Sequence, residues 1–273
     1  MNIKFSQSSF VYFNYSLKYA IQDLGEAGYQ GIEIWGGRPH YYRQDLDKEF
    51  KSLLKILDKY NLVVPNFIPA QFRYPSYLCS LNEKIRKDSV DYIKTAIRNA
   101  VKFRSPSVSI CPGMAIEGDP LEKAWKNFKK SLQQLLDFCD KKPVLLLIEP
   151  AHRWETNLIL TISDCVRMLK EIKSKKLGIL LDTGHCHINR EDFKRTVKEA
   201  SSYPLHIHID DNDGQSDQHN IPGKGSIQFQ TLAEALKAIN YSGFISAELG
   251  FQYTLNPQQA VRETLNGIKK IFQ

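Results

Sequence analysis

The stretch His206–Gly225, HIHIDDNDGQSDQHNIPGKG, reads as a strand that runs into a loop rich in metal-competent side chains. Leu205, Ile207 and Ile209 alternate with His206, His208 and Asp210 at the two-residue period of a sheet. The face opposite the apolar one carries two imidazoles, where threonine or scattered charge is usual. Asp210, Asp211, Asn212 and Asp213 follow, then Asp217 and His219, and Ile221-Pro222-Gly223-Lys224-Gly225 closes the stretch. Imidazoles and carboxylates packed this densely at a strand end are the donor set of a divalent metal site. For any one of these histidines alone, a polar strand edge beside a solvated turn is the simpler reading.

Outward from this stretch, the same alternation of short β-rich runs and longer helical patterns fills the chain. Strands are expected at Ile3–Phe5, Ile32–Trp35, Leu62–Ile68, Ser107–Cys111, Val144–Ile148, Leu177–Leu181, the histidine strand itself, and Phe244–Ala247. Helices are expected at about Leu17–Ala27, Asp47–Tyr60, Asn82–Lys102, Pro120–Lys141, Thr161–Ile172, Arg190–Ser201, Phe229–Asn240 and Pro257–Phe272. Val144–Ile148 and Leu177–Leu181 are continuous apolar runs, as expected of strands covered on both faces in a parallel sheet. Thr161-Ile-Ser-Asp164 has the spacing of a capping box. Eight strand-then-helix units with no linker predict an α/β fold, a (β/α)8 TIM barrel spanning residues 1–273 as one domain. An open doubly wound sheet is disfavoured, because no strand leads into Gly-x-Gly-x-x-Gly and no phosphate loop occurs.

The chain is long enough for one such barrel, and its 42% hydrophobic content matches a globular core. No apolar run approaches the roughly 20 residues of a membrane span, and the first residues lack a signal-peptide pattern. Five scattered cysteines without a CxxC pair suit a reducing cytoplasm and argue against a disulfide framework or a thiolate zinc site. The net charge of +7 raises nucleic acid as a partner. Much of the excess is lysine on helical patterns such as Lys123–Lys130, which reads as a solvated face, so no nucleic acid partner is expected. A homo-oligomer is allowed by the sequence but not specified.

In a barrel the functional site lies at the carboxyl ends of the strands. Glu149, Asp182 and Glu248 end the fifth, sixth and eighth strands, and His208 lies late in the seventh. Three carboxylates and an imidazole converging on one mouth repel strongly unless a cation sits among them. The oxygen-rich set suits one manganese, cobalt or magnesium ion better than zinc. The bland alternative is that each acid caps the helix after it. Glu155 and His185 fall in the loops above, placed to meet a substrate oxygen. The Gly36-Gly37-Arg38-Pro39-His40 turn offers two glycines for close backbone approach and an arginine able to clamp a carboxylate. Trp35, Phe67 and Phe251 at strand ends serve either barrel packing or a ligand wall.

IEPAHRWE (148–155), LDTGHCH (181–187), HIHIDDND (206–213) and AELG (247–250) resemble the xylose isomerase-like sugar epimerases and isomerases, including the tagatose and psicose 3-epimerases. GYQGIEIWGGRPH (28–40) and SDQHNIPGKG (216–225) are most similar to the fructoselysine 3-epimerase branch, and the resemblance covers nearly the whole chain. It implies that Glu149, Asp182, His208 and Glu248 hold the metal, that Glu149 and Glu248 are catalytic and also move protons, and that Glu155 and His185 contact a sugar or sugar–amino acid substrate. Free-ketose enzymes carry arginine where this chain has Gly214, which points to a pocket open beyond C1. An aldose–ketose or inosose isomerase or dehydratase is the alternative on the same barrel. An abasic-site endonuclease would also explain Asp217-x-His219 as a further metal pair. It needs histidines where this chain has Pro65-Asn66-Phe67-Ile68 and Ile110-Cys111-Pro112-Gly113, so Asp217 and His219 are expected to order the loop over the mouth.

Overall fold

The computed structural model describes residues 2–71 and 75–272. The described residues form eight parallel strands that close in the order of the sequence: β1 Lys4–Ser8, β2 Gly31–Gly36, β3 Phe67–Pro69, β4 Ser107–Ile110, β5 Leu145–Ile148, β6 Leu177–Asp182, β7 Leu205–Ile209 and β8 Phe244–Ala247. Around them lie α1 Leu17–Ala27, α2 Phe50–Lys59, α3 Glu83–Lys102, α4 Leu121–Cys139, α5 Ile162–Ile172, α6 Thr183–Ile188, α7 Phe193–Ala200, α8 Phe229–Ala238 and α9 Pro257–Phe272. This is the expected (β/α)8 barrel. Among the described residues no helix is long and apolar enough to cross a membrane.

Alternation along each strand divides the side chains between two environments. Phe5, Ile32, Ile34, Val108, Ile110, Leu146, Ile148, Ile179, Leu181, Ile207, Ile209 and Ile245 belong to one continuous apolar core with residues of the helices. The opposite parity faces the barrel interior, where much of the filling is polar. Glu33 of β2 meets His206 and His208 of β7, strands that are not neighbours in the sheet, so the contact crosses the lumen. Asn66 bonds Ser107 and Ser109 of β4, and Ser6 of β1 bonds Ser246 of β8. Such groups are tolerated in an interior because they are hydrogen-bonded to one another.

The differences from the sequence reading are local. β3 is only Phe67–Pro69, with Val63 making an isolated bridge to Gly31. Pro65 supplies no N–H to a ladder, which interrupts the longer expected strand. β1 continues past Phe5 through Ser6, Gln7 and Ser8, buried polar positions that carry no apolar signal. The expected helix at Arg190–Ser201 starts later, at Phe193, where Asp192 accepts from Arg195 N–H, and a separate short helix α6 precedes it. The capping box at Thr161 and Asp164 is present. A cap of this kind contributes about 1 kcal/mol.

Candidate metal centre and active site

The parity of the strands places the ligand candidates. Leu147, Leu180, His206 and Ser246 lie off the outer core, and two residues further along each strand direction stand Glu149, Asp182, His208 and Glu248. Sheet register aligns them: Asp182 pairs with His208, and Glu248 N–H bonds Ile209 C=O at 3.2 Å. One atom from each of the four lies within 4.8 Å of the others. His208 Nδ1 is 2.9 Å from Glu248 Oε2, 3.6 Å from Glu149 Oε1 and 3.8 Å from Asp182 Oδ2.

Asp182 caps a helix with one carboxylate oxygen and turns the other toward His208. Its Oδ1 accepts from His185 N–H at 2.8 Å and so caps α6. Its Oδ2 is buried without a hydrogen bond, as is His208 Nδ1, and the two face each other. Buried polar atoms rarely stay unpartnered in native structures. Three carboxylates and one imidazole, two of whose converging atoms lack a hydrogen-bond partner, fit a divalent ion, which would supply it.

Glu33 orients the imidazole. It accepts from His208 Nε2 at 2.9 Å, from His206 Nε2 and, more weakly, from Asn66 Nδ2 at 3.4 Å. Burial alone would raise this carboxyl, but His208 and His206 outweigh it and hold Glu33 well below the usual carboxylate range. An ionised Glu33 accepts only, so His208 must carry its proton on Nε2 and turn the Nδ1 lone pair toward the acids. Burial also disfavours a charged His208 ring. Glu33 and Glu248 overcome it and raise the ring well above its ordinary value, so an ion binding there competes with a proton.

Glu149 and Glu248 line a cavity of about 640 Å³ together with Trp35, Arg38, Glu155 and His185 among others. Every proposed substrate contact therefore reaches the same space. Trp35 joins Phe10, Phe13 and Phe251 in an aromatic wall, with ring centroids 4.8–5.5 Å apart. Phe251 is 61% exposed there, whereas Phe67 is buried. Burial lifts the Glu155 carboxyl to about 8 against the pull of His185. Burial disfavours charge on His185 too, but Asp182, Glu155 and Asp217 raise it to about 10.

Three expectations take a different form. Gly36 and Gly37 make room for the protein's own rings: an added Cβ would fall 2.8 Å from Phe67 and 2.3 Å from Trp35. Arg38 lines the cavity but is ion-paired to Asp45, with Nε 2.6 Å from Oδ2, and stacks on Tyr42. Gly214 has φ +75° and lies against His187 outside the cavity lining, so its identity answers to backbone conformation. Asp217 and His219 do lie over the mouth. Asp217 reaches His152, Glu155 and His185, and His219 Nδ1 lies 2.7 Å from Asp210 Oδ2. Glu33 and His152 were not singled out from the sequence. Glu33 left one signal, an acid at an inward position of an otherwise apolar strand.

Residues 21–271 match the xylose isomerase-like TIM barrel family. The chain belongs to that family. Fructoselysine 3-epimerase of Shigella flexneri is 27% identical over 257 residues, 94% of this chain and 93% of that protein. A solved D-tagatose 3-epimerase-like protein superposes with a TM-score of 0.82 at 26% identity, covering 98% of this chain and all of that one. The IolI protein, solved with a zinc atom, has a TM-score of 0.85 over 99% of this chain and 98% of that one, and at 17% identity it shares the barrel alone. Within the family, this chain's four strand-end ligand candidates and the cavity above them form one continuous site.

Proposed function

We propose that the chain is a divalent-metal-dependent sugar 3-epimerase acting on a ketose or a ketosamine of the fructoselysine type. The observation that carries the reading is the convergence of Glu149 and Glu248, which line a sugar-sized cavity, with the buried Asp182 and His208. The fructoselysine 3-epimerase relative and the solved D-tagatose 3-epimerase-like protein support it. Glu149, Asp182, His208 and Glu248 would hold one ion, for which manganese, cobalt or magnesium suits the oxygen-rich set. When bound, the ion supplies electrostatic stabilisation of negative charge developing on neighbouring sugar oxygens.

The chain's own groups account for the proton movements. The C3–H bond breaks as one carboxylate, Glu149 or Glu248, takes the proton, and the electron pair is delocalised toward the C2 carbonyl. The other carboxyl, on the opposite side of the sugar, returns a proton to C3 from the other face. Glu155 and His185 hydrogen-bond the oxygens near the carbonyl. The aromatic wall excludes water from one side and packs on whatever C1 carries. Arg38, at the outer part of the cavity, meets a carboxylate of an amino-acid substituent.

The test is incubation of metal-loaded protein with fructose, tagatose, psicose and fructoselysine in D2O, followed by NMR. Deuterium at C3 of an inverted product is expected. Hydrogen transfer between C1 and C2 without C3 labelling would replace this reading with an aldose–ketose isomerase.

A further inference from the structure

The aromatic wall of the cavity is assembled from separate parts of the chain. Phe10 and Phe13 follow β1, Trp35 stands near the end of β2, and Phe251 follows β8. A buried polar chain that starts at His40, in the loop after β2, ties the first two parts together. We propose that His40 is a positioning residue which, acting through Ser9, fixes Trp35 and so sets a preference for ketoses substituted at C1 over free ketoses. This rests on the epimerase reading above, in which the wall packs on the C1 substituent.

The direction of each hydrogen bond follows from the one before it. His40 Nε2 lies 3.1 Å from Tyr15 C=O, and a carbonyl can only accept, so Nε2 carries a proton. The ring is fully buried, and burial pushes it down to about 4 against the pull of the Tyr15 and Tyr12 carbonyls, so it is neutral and holds that one proton. Nδ1 is then an acceptor, and the Ser9 hydroxyl, 3.0 Å away, donates to it. With its proton so directed, Ser9 Oγ accepts from Trp35 N–H at 2.9 Å. The paired register of β1 and β2 ends at Ser8 and Glu33, and beyond it the Ser9 side chain receives Trp35 N–H.

The same residues hold the rings of the wall. His40 meets the indole of Trp35 edge to face, with centroids 6.1 Å apart. Phe10, the neighbour of Ser9, lies edge-on to Trp35 at 5.1 Å, and Phe251 lies edge-on to Phe10 at 4.8 Å. Trp35, Phe10 and Phe251 line the cavity, whereas Ser9, Tyr15 and His40 do not, so His40 acts on a bound sugar through the wall. The competing account is that His40 only fills space. An apolar ring would do that without desolvating two nitrogens, and here both nitrogens are satisfied by segments that carry or flank the wall.

The experiment compares metal-loaded native protein with Ser9→Ala and His40→Phe. Each variant should raise KM for fructoselysine about fivefold, the scale of one neutral hydrogen bond, while kcat and the KM for fructose change less than about twofold. The Trp35 emission, taken as the component absent from Trp35→Phe, should lose anisotropy in both variants with no sugar present. Melting checks folding, and Ser9→Ala, the smaller change, serves if His40→Phe does not fold. Unchanged Trp35 anisotropy or an unchanged KM for fructoselysine overturns the proposal. An equal loss of kcat on both sugars also overturns it, since that marks a merely structural role. If native protein epimerises neither sugar, the epimerase reading fails and takes the substrate preference with it, while the anisotropy still decides whether His40 positions Trp35.

Discussion

Glu33 touches neither the proposed ion nor the sugar, yet the structure makes it decisive for the state of His208. In Glu33→Gln one of the two acceptor oxygens becomes an amide donor. His206 Nε2 and His208 Nε2 approach different oxygens of the native carboxylate, so one imidazole must then face an N–H. If that is His208, its proton moves to Nδ1, the atom aimed at Glu149, Asp182 and Glu248, and an incoming ion must displace it. If the amide turns the other way, His206 takes the mismatch and His208 keeps a weaker, uncharged partner. Either outcome lowers the basicity of the ligand. Loss of an outer carboxylate of this kind typically costs 10–100-fold in metal affinity, or about 1.4–2.7 kcal/mol. Glu33→Ala would be a poorer probe, since stranding two buried imidazoles adds a folding cost of about 1–3 kcal/mol for each. The assay is calorimetric titration of chelator-stripped protein with manganese, native against Glu33→Gln, with thermal melting as the control for folding. An unchanged dissociation constant in a variant that melts like the native protein would refute the claim that Glu33 sets the His208 tautomer.

Three further outcomes are expected. Glu149→Gln and Glu248→Gln should each lower turnover by roughly 10²–10⁴-fold, since an amide cannot accept the C3 proton; near-normal epimerisation in a variant that keeps its metal removes the two-carboxylate mechanism. Arg38→Ala should raise KM for fructoselysine roughly tenfold with little change in kcat, and leave fructose unaffected, because the guanidinium already shares its charge with Asp45; equal effects on both sugars count against an amino-acid substituent at that end. Burial lifts the Glu191 carboxyl from 4.5 to about 7, partly opposed by Ile162 N–H at the start of α5. The folded chain thus binds that proton more tightly than the unfolded one, and the associated stability is full below pH 4.5 and lost as pH rises through about 7. Glu191→Gln should therefore gain on the order of 1–2 kcal/mol over native protein between pH 5 and pH 8 in urea unfolding, and a constant difference across that range would contradict the assignment.

What the sequence disclosed and what it hid follow from one physical distinction. The barrel was legible because its outer core is built from side chains whose period announces a strand or a helix, and β5, β6 and β7 read almost to their ends. The four ligand candidates were legible because each ends such a run or, in the case of His208, lies near its end. Glu33 and His152 were not. Glu33 acts on His208 across the lumen from β2 to β7, and no local period records a contact between residues 175 positions apart. The polar filling of the barrel was hidden for the same reason: Ser107 and Ser109 read as weak strand residues until Asn66 is seen between them. Gly214 shows the opposite error. The substitution of glycine for arginine suggested an open pocket, whereas the structure gives the glycine a left-handed backbone against His187 and leaves the substrate question to Arg38, Asp45 and the aromatic wall. A residue's identity in a loop can therefore answer to backbone geometry as readily as to a ligand, and only the atoms facing the cavity decide between them. By that criterion the side chains to test for substrate choice are those on the rim formed by β2 and the segment after β8, where Trp35 and Phe251 line the same 640 Å³ cavity as Glu149 and Glu248.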